Sequence, residues 1–287
     1  MKYVSYSLDG VEGLAIQNDR SLKGLTVSDG RYPGDLLSLL QKGSTALTSA
    51  AKALEAGDDV DVTRAKLLPP ISNSGKIVCI GLNYHDHAAE SKVATPTYPT
   101  VFARFNSSLI GHGSPIICPA SSHELDYEGE LVAVIGARSR HVDEADALSR
   151  VAGYSIFNDG SIRDYQFKAP QWTPGKNFDG TGAFGPCFVT ADALPQGCNG
   201  LRLTTRLNGT VVQDASIDDM VFSVAKLVSV LSEFMTLEPG DLIVTGTPSG
   251  VGAARKPPVF MKQGDICEVE IENIGRLTNP IVRQEAR

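Results

Sequence analysis

A short acidic segment inside an otherwise apolar stretch constrains this chain most strongly. Residues 123–137 read HELDYEGELVAVIGA. With the two-residue period of a β-strand, Glu128 and Glu130 share a face with the apolar Val132 and Val134, and the opposite face is apolar as well. The pattern therefore predicts a strand that is buried on both faces. Two carboxylates on one dry face resist ionisation unless a positive charge lies between them. A divalent cation is the simplest candidate for that charge, and a salt-bridged structural pair is the alternative.

A second E-x-E pattern near the C-terminus provides a comparison. Cys267, Val269 and Ile271 alternate with acidic residues, which is typical of an antiparallel strand with one solvated face. Such a strand needs no metal, so the spacing of two acidic residues is weak evidence by itself. The apolar residues that share a face with Glu128 and Glu130 are what favour a metal site in the first segment.

The composition is that of a folded protein that acts on small molecules. The chain has 287 residues, of which 42% are hydrophobic and 21% charged, so it can bury a large core. A formal net charge of -7 and the lack of a Lys/Arg block argue against nucleic acid as a partner. The N-terminus lacks the apolar core of a signal peptide, and no apolar run is long enough to span a bilayer. We therefore expect no membrane partner and a cytoplasmic location.

A Pro- and Ser-rich stretch divides the chain. Residues 1–70 show short strand and helix patterns without recognisable chemistry, and LLPPISNSG at 67–75 precedes a new apolar run. We predict a small N-terminal domain at 1–70 and a catalytic domain at 71–287.

Two local patterns in the second part are clear. Asn208-Gly209 between two β-like runs predicts a hairpin. From 219 to 237 the apolar residues keep close to the helical period, which predicts an amphipathic helix.

Some short motifs in the chain match known functional patterns but also have a simpler structural explanation. GTGAFG at 180–185 matches the glycine pattern of dinucleotide sites, but it neither follows a strand nor begins a helix, so we reject that site. HDH at 85–87 could indicate a cupin-type metal site, but its context favours a helix, and no second His motif follows. In a helix, His87 and Glu90 lie one turn apart, so the carboxylate can orient the imidazole as a general base. The alternative is that both are surface residues without a catalytic role.

Five scattered cysteines without C-x-x-C spacing disfavour zinc.

Taken in order, several motifs resemble the fumarylacetoacetate hydrolase superfamily. They lie within residues 76–282 and read GLNYHDHAAE, LDYEGELVAVIG, FNDGSIRDYQ, GKNFD and DLIVTGTPSGVG. The resemblance implies an α+β, mainly β fold, with a mixed β-roll as the C-terminal domain and a small α+β N-terminal domain. It also implies a homodimer.

The resemblance further implies a metal centre and a set of catalytic residues. One Mg²⁺ or Mn²⁺ ion per subunit is expected on Glu128, Glu130 and Asp159, which agrees with the strand argument, and all-oxygen ligation suits a hard cation. By motif position, the catalytic residues are His87, Glu90 and Lys176. The substrate-binding residues are Arg163, Gln166 and Thr247.

One segment departs from the family pattern. VFARFNSSLIGHGSPI carries Arg104 and Phe105 where relatives commonly have Lys-Pro. Arg104 keeps the positive charge, and we expect it to contact the substrate, with a rim salt bridge as the alternative.

The residues together predict a metal-dependent hydrolase. It would cleave a carbon–carbon bond of an acylpyruvate-type (2,4-diketo acid) substrate and release pyruvate, in the catabolism of aromatic or sugar-acid compounds. In this hypothesis the metal stabilises the pyruvate enolate, while His87 and Glu90 activate the attacking water. Without the water, the same chemistry would decarboxylate or isomerise oxaloacetate or another 2-oxo diacid, which is the alternative. A non-catalytic, metal-stabilised binding module is the remote alternative.

Overall fold

Strands dominate the fold in a computed structural model, which describes residues 1–18, 21–86 and 96–285. In chain order the strands are β1 (Lys2–Leu8), β2 (Val11–Gln17), β3 (Leu22–Thr26), β4 (Asp58–Asp59), β5 (Lys66–Leu67), β6 (Ile77–Gly81), β7 (Thr100–Arg104), β8 (Leu109–Ile110), β9 (Ile116–Cys118), β10 (Leu125–Asp126), β11 (Gly129–Ile135), β12 (Val151–Asp159), β13 (Ser161–Ile162), β14 (Gly182–Thr190), β15 (Arg202–Leu207), β16 (Thr210–Ser216), β17 (Leu242–Val244), β18 (Ile266–Ile271) and β19 (Gly275–Arg283).

The helices are fewer and mostly short. Within the described ranges the α-helices are α1 (Leu36–Lys42), α2 (Ser44–Glu55), α3 (Glu144–Ala147), α4 (Arg163–Gln166), α5 (Thr173–Lys176) and α6 (Val224–Phe234). The 3₁₀ turns are Asn106–Ser108, Leu148–Arg150, Ala191–Ala193, Gln196–Cys198, Ile217–Asp219 and Gly252–Ala254. None of the helices in the described ranges is long and apolar enough to cross a bilayer.

Most strands join one large mixed sheet. Its order is β4-β3-β2-β1-β14-β12-β11-β17-β6-β7, with β5 added to β1 and β8 to β14. A second sheet has the order β16-β15-β18-β19-β9, and β10 pairs with β13. The fold is α+β and mainly β, with mixed sheets, which confirms the class that the resemblance implied.

The N-terminal strands extend the large sheet. Antiparallel pairing places Tyr3 of β1 opposite Phe188 of β14, so residues on both sides of the predicted boundary share one sheet. Helix α1 begins at Asp35, whose carboxylate accepts a hydrogen bond from the Ser38 backbone N–H and so satisfies a donor that the helix leaves unpaired. The division at residue 70 stays a prediction.

Strand β11 lies in the middle of the large sheet and is buried along its whole length. Its alternate residues enter different core clusters: Leu131 and Ala133 pack in one, and Val132 and Val134 in the other. The two-residue period of the sequence therefore assigned the faces correctly. The prediction of a strand that is covered on both faces is confirmed.

The other local predictions hold with shorter bounds. The strands β15 and β16 form the predicted hairpin, joined by Asn208-Gly209, both with positive φ as such a turn requires. Helix α6 begins after Ser223, whose hydroxyl accepts a hydrogen bond from the Lys226 N–H, so it is shorter than predicted. Residues 182–190 form strand β14, which agrees with the rejection of a dinucleotide site.

The C-terminal acidic strand differs from β11 as expected. In β18, Cys267, Val269 and Ile271 are buried, while Glu268 and Glu270 are half-exposed. The two glutamates form ion pairs with arginines of neighbouring strands, so solvent and guanidinium groups satisfy their charges.

The burial of β12 predicts a contrast between two isoleucines of the same size. Ile156 on β12 is fully buried, whereas Ile266 on β18 is 48% exposed. We expect Ile156→Ala to lower the free energy of unfolding by about 2–5 kcal/mol, because it leaves a cavity in the core. Ile266→Ala should change it by about 0.5 kcal/mol or less. Urea titration of the two variants checks this, and equal losses would contradict the burial assigned to β12.

Candidate metal centre

Antiparallel pairing of β11 with β12 brings the three predicted metal ligands together. Glu128 precedes β11, Glu130 lies on it, and Asp159 ends β12. The backbone N–H of Asp159 donates to the carbonyl of Glu128 (2.8 Å), which closes this end of the pair. One carboxylate oxygen of each residue lies within 4.8 Å of the others, and all three side chains are buried. We call these residues the acidic triad.

Lys176, at the end of α5, bridges two members of the triad. Its ammonium nitrogen lies 2.6 Å from an oxygen of Glu128 and 2.6 Å from an oxygen of Asp159, and the side chain is 2% exposed. Burial alone lowers the pKa of Lys176, but the negative charges of Asp159 and Glu128 outweigh that effect and raise it. The lysine therefore stays protonated and acts as a fixed positive charge.

Arg163, at the start of α4, lies between two carboxylates. Its Nη2 atom is 2.7 Å from Asp126 and 2.7 Å from Glu128, and its Nη1 donates to the side-chain oxygen of Gln166 (2.9 Å). Burial lowers the pKa of Arg163, but Asp126 and Glu128 together raise it above its ordinary value. The structure thus brings Arg163 and Gln166 together beside the triad.

Arg104 is a second cation that contacts Asp159. Its guanidinium forms an ion pair with Asp159 and donates to the hydroxyls of Thr181 (2.7 Å) and Ser108 (3.2 Å). The side chain is fully buried, so the predicted rim salt bridge is wrong. Arg104 is not among the residues that line the cavity beside the triad, and its predicted contact with the substrate stays a prediction. The sequence shows that Arg104 is positively charged, but it does not show that the side chain is buried.

Glu130 is the member of the triad without a cationic partner in the described part of the chain. Its carboxylate accepts a hydrogen bond from the Gly246 N–H (2.5 Å), in the loop after β17. Burial, together with the charges of Asp159 and Glu128, raises the pKa of Glu130 well above its ordinary value. A desolvated carboxylate in this position attracts either a proton or a metal ion.

A cavity of about 410 Å³ opens beside the triad. Six residues form its polar lining: Glu128, Glu130, Lys176 and the predicted substrate-binding residues Arg163, Gln166 and Thr247. The remaining lining residues are mostly apolar: Ile80, Gly81, Leu82, Phe102, Phe167, Trp172, Val251, Ala253 and Ala254. Trp172 packs edge-on against Phe102, with ring centroids 5.5 Å apart.

Thr247 lines the same cavity from the loop after β17. Its hydroxyl donates to the carbonyl of Gly129 (3.0 Å) and accepts from the side-chain amide of Gln213 (2.8 Å). Gln213 in turn accepts from the Gly129 N–H (3.0 Å), so Thr247 and Gln213 hold the start of β11.

Two other site residues escaped the sequence analysis. Asp126 is fully buried and ion-paired with Arg163, and the two-residue period that selected Glu128 and Glu130 also selects Asp126. Trp172 had no pattern that could have placed it in the cavity wall. The predicted general-base couple, His87 and Glu90, lies outside the described residues and stays a prediction.

The donor set suits a hard divalent cation. Three carboxylates supply only oxygen atoms, which Mg²⁺ and Mn²⁺ prefer, and none of the five buried cysteines belongs to this cluster. Glu130 has no cationic partner among the described residues, and its raised pKa indicates that a proton or a metal ion would neutralise it. Glu128, Glu130 and Asp159 are therefore the residues that would hold such an ion.

The chain is similar to known proteins over most of its length. A sequence profile described as the fumarylacetoacetate (FAA) hydrolase C-terminal domain matches residues 76–282. The mitochondrial oxaloacetate tautomerase of Xenopus laevis is 41% identical over 273 residues, which are 94% of this chain and 85% of that protein. A human mitochondrial oxaloacetate tautomerase is 39% identical over 273 residues, 94% of this chain and 87% of that protein.

A solved structure is similar over almost the whole length. The fumarylacetoacetate hydrolase from the psychrophilic Exiguobacterium antarcticum has a TM-score of 0.87 and 34% identity, and it covers 99% of this chain and 100% of that chain. The profile match spans most of the chain, and the relatives exceed 30% identity over nearly all of it. The chain therefore belongs to the fumarylacetoacetate hydrolase family.

Proposed function

We propose that this chain enolises a 2-oxo acid, and that its reaction is the keto–enol interconversion of oxaloacetate. The observation that carries the proposal is a buried acidic triad, two of whose members, Glu128 and Glu130, line a cavity together with the ammonium group of Lys176 and the guanidinium group of Arg163. The motifs alone favour acylpyruvate hydrolysis first, and decarboxylation or isomerisation of a 2-oxo diacid second. Relatives named as oxaloacetate tautomerases, at up to 41% identity, lead us to reverse that order.

A divalent ion on the triad would supply Lewis-acid stabilisation of the negative charge that develops on the 2-oxo group. The protein adds to this with Lys176, which lines the cavity and stays protonated. A fixed positive charge in a dry site stabilises an enolate without having to reorganise. Because its pKa is raised, Lys176 is an electrostatic stabiliser in this proposal and not the base.

Arg163 and Gln166 orient the substrate carboxylate in this proposal. A guanidinium group has five N–H donors, so Arg163 can pair with Asp126 and Glu128 and still donate into the cavity. Its contact with Gln166 fixes the two side chains relative to each other (2.9 Å). A substrate held in this way presents its C3 proton in one direction.

His87 is our proposed base, with Glu90 as its orienting partner. The proton leaves C3 for the imidazole, and the C–H electron pair moves through the new C=C bond to the 2-oxo oxygen. The imidazolium then returns the proton to that oxygen, which gives the enol and restores the base. The spacing of the two residues and the family motif support this assignment.

Acylpyruvate hydrolysis is the second candidate. The cavity of about 410 Å³ has an apolar wall built from Leu82, Phe102 and Trp172, and oxaloacetate is too small and too polar to fill it. A diketo acid with an apolar tail would cover that wall.

Homodimerisation and a cytoplasmic location stay predictions.

The first test is the reaction itself. Purified protein with Mg²⁺ or Mn²⁺ should accelerate the keto–enol interconversion of oxaloacetate, followed by the ultraviolet absorbance of the enol. Removal of the ion with a chelator should abolish the acceleration, and added Mg²⁺ should restore it. The control is the spontaneous rate with Mg²⁺ and no protein. Pyruvate release from acylpyruvates without any effect on oxaloacetate would reject the proposal in favour of the second candidate.

Glu130→Gln tests the triad. The amide removes the charge of the carboxylate that lacks a cationic partner, so the variant should lose Mg²⁺ affinity in calorimetry and lose activity with it. Its thermal stability without metal should equal or exceed that of the wild type, because a buried charge has been removed. Glu268→Gln on the solvated face of β18 is the matched control and should keep both properties. Unchanged Mg²⁺ affinity of Glu130→Gln would show that the ion binds elsewhere.

His87→Ala tests the base. We expect turnover to fall by about 100-fold or more, as is common when a general base is lost, while Mg²⁺ affinity stays near that of the wild type. His85→Ala, which removes an exposed imidazole two residues away, is the control and should keep normal turnover. Near-normal turnover of His87→Ala would remove His87 from the mechanism.

A further inference from the structure

Asp126 is a fully buried carboxylate next to the site that the triad does not use. It ends the short strand β10, two residues before Glu128, and it does not line the cavity. Its Oδ2 atom accepts a hydrogen bond from Nε of Arg163 (2.8 Å) and lies 2.7 Å from Nη2 of the same residue. Two contacts along one edge of a planar guanidinium fix its plane as well as its position.

The same carboxylate also holds the opposite wall of the cavity. Its Oδ1 atom accepts from the Gly252 N–H (2.7 Å), and its Oδ2 atom accepts from the Ala253 N–H (2.9 Å). A Cβ atom at residue 252 would lie 1.8 Å from the carbonyl oxygen of Val259 and 2.6 Å from Asp126. Only glycine therefore allows this close approach. Ala253 and Ala254 of the same turn line the cavity.

The charges give Asp126 a second effect. Arg163 carries one positive charge and lies 2.7 Å from both Asp126 and Glu128. If Asp126 were neutral, the whole attraction of Arg163 would fall on Glu128, a member of the triad. The guanidinium would then shift towards the triad and away from the orientation in which it can receive a substrate anion.

We propose that Asp126 is a positioning residue, which orients Arg163 for the substrate carboxylate and ties that arginine to the wall formed by Gly252–Ala254. The inference rests on the proposed function only in taking a 2-oxo acid as the anion that Arg163 receives. Asp126 itself does not touch the substrate; it acts through Arg163.

The test is a double-mutant cycle on magnesium-loaded protein. Affinity for oxalate, a planar anion that resembles a pyruvate enolate, is measured by calorimetry for Asp126→Asn, Arg163→Gln and the double variant. We expect each single variant to bind oxalate at least tenfold more weakly, and the double variant to bind no more weakly than Arg163→Gln. Such non-additivity is the signature of two residues that act as one unit. For oxaloacetate, KM should rise more than kcat falls.

Asp241→Asn is the matched control for a purely structural role. Asp241 is also buried and pairs with a lysine, Lys76 (2.7 Å), but it does not line the cavity. We expect this variant to lose thermal stability and keep its oxalate affinity. If Asp126→Asn behaves in the same way, the proposal is wrong. Fully additive losses in the double variant would also overturn it.

The cycle stays informative if Asp126→Asn does not fold. The double variant removes both partners of the ion pair, so neither is left as a buried charge without the other, and it should fold better than the single variant. An oxalate affinity at least fivefold below that of Arg163→Gln would then reject the proposal. Turnover of oxaloacetate is judged separately. A wild type that binds oxalate but does not act on oxaloacetate would reject the proposed function and leave the role of Asp126 intact.

Discussion

Buried charges of opposite sign surround the end of the β11–β12 pair, and they do not cancel. Four carboxylates face three cations there, with Arg104, Arg163 and Lys176 each paired to at least one acidic residue. By formal charge, one negative charge remains, and its place is Glu130, which accepts a backbone N–H and has no cationic partner among the described residues. An uncompensated charge at this depth is too costly to keep. A proton or a metal ion at Glu130 removes that cost, and the oxygen ligands of the triad suit a hard metal ion.

The large sheet keeps these carboxylates buried. Because β11 is covered on both faces, Glu128 and Glu130 are buried at its start, whereas Glu268 and Glu270 on β18 are half-exposed. The same sheet places the ends of β11 and β12 beside the loop after β17, which supplies the Gly246 N–H. Short helices α4 and α5 then bring Arg163 and Lys176 from outside the sheet. The cavity lies where these elements meet, and its lining includes Glu128 and Glu130 of the triad.

Sequence reasoning reached the parts of this site that depend on local periodicity. The faces of β11, the burial of Glu130 and the solvated character of the second acidic strand all follow from a two-residue repeat. Asp159 and Lys176 were named only through the family motifs, because nothing local shows that residues 17 positions apart in the chain meet at 2.6 Å. The full burial of the ion pair between Arg104 and Asp159 could not be predicted, because a sequence shows a charge but not its depth. Asp126 has the periodicity of the triad, and only its contacts distinguish its role from that of a ligand.

The most direct test is a crystal structure of the protein grown with Mn²⁺, with data collected at the manganese absorption edge. The account predicts one strong anomalous peak per subunit, bounded by oxygens of Glu128, Glu130 and Asp159, with Lys176 still beside the triad. A Mn²⁺-saturated crystal without that peak, in which a cationic side chain has moved onto Glu130, would contradict it.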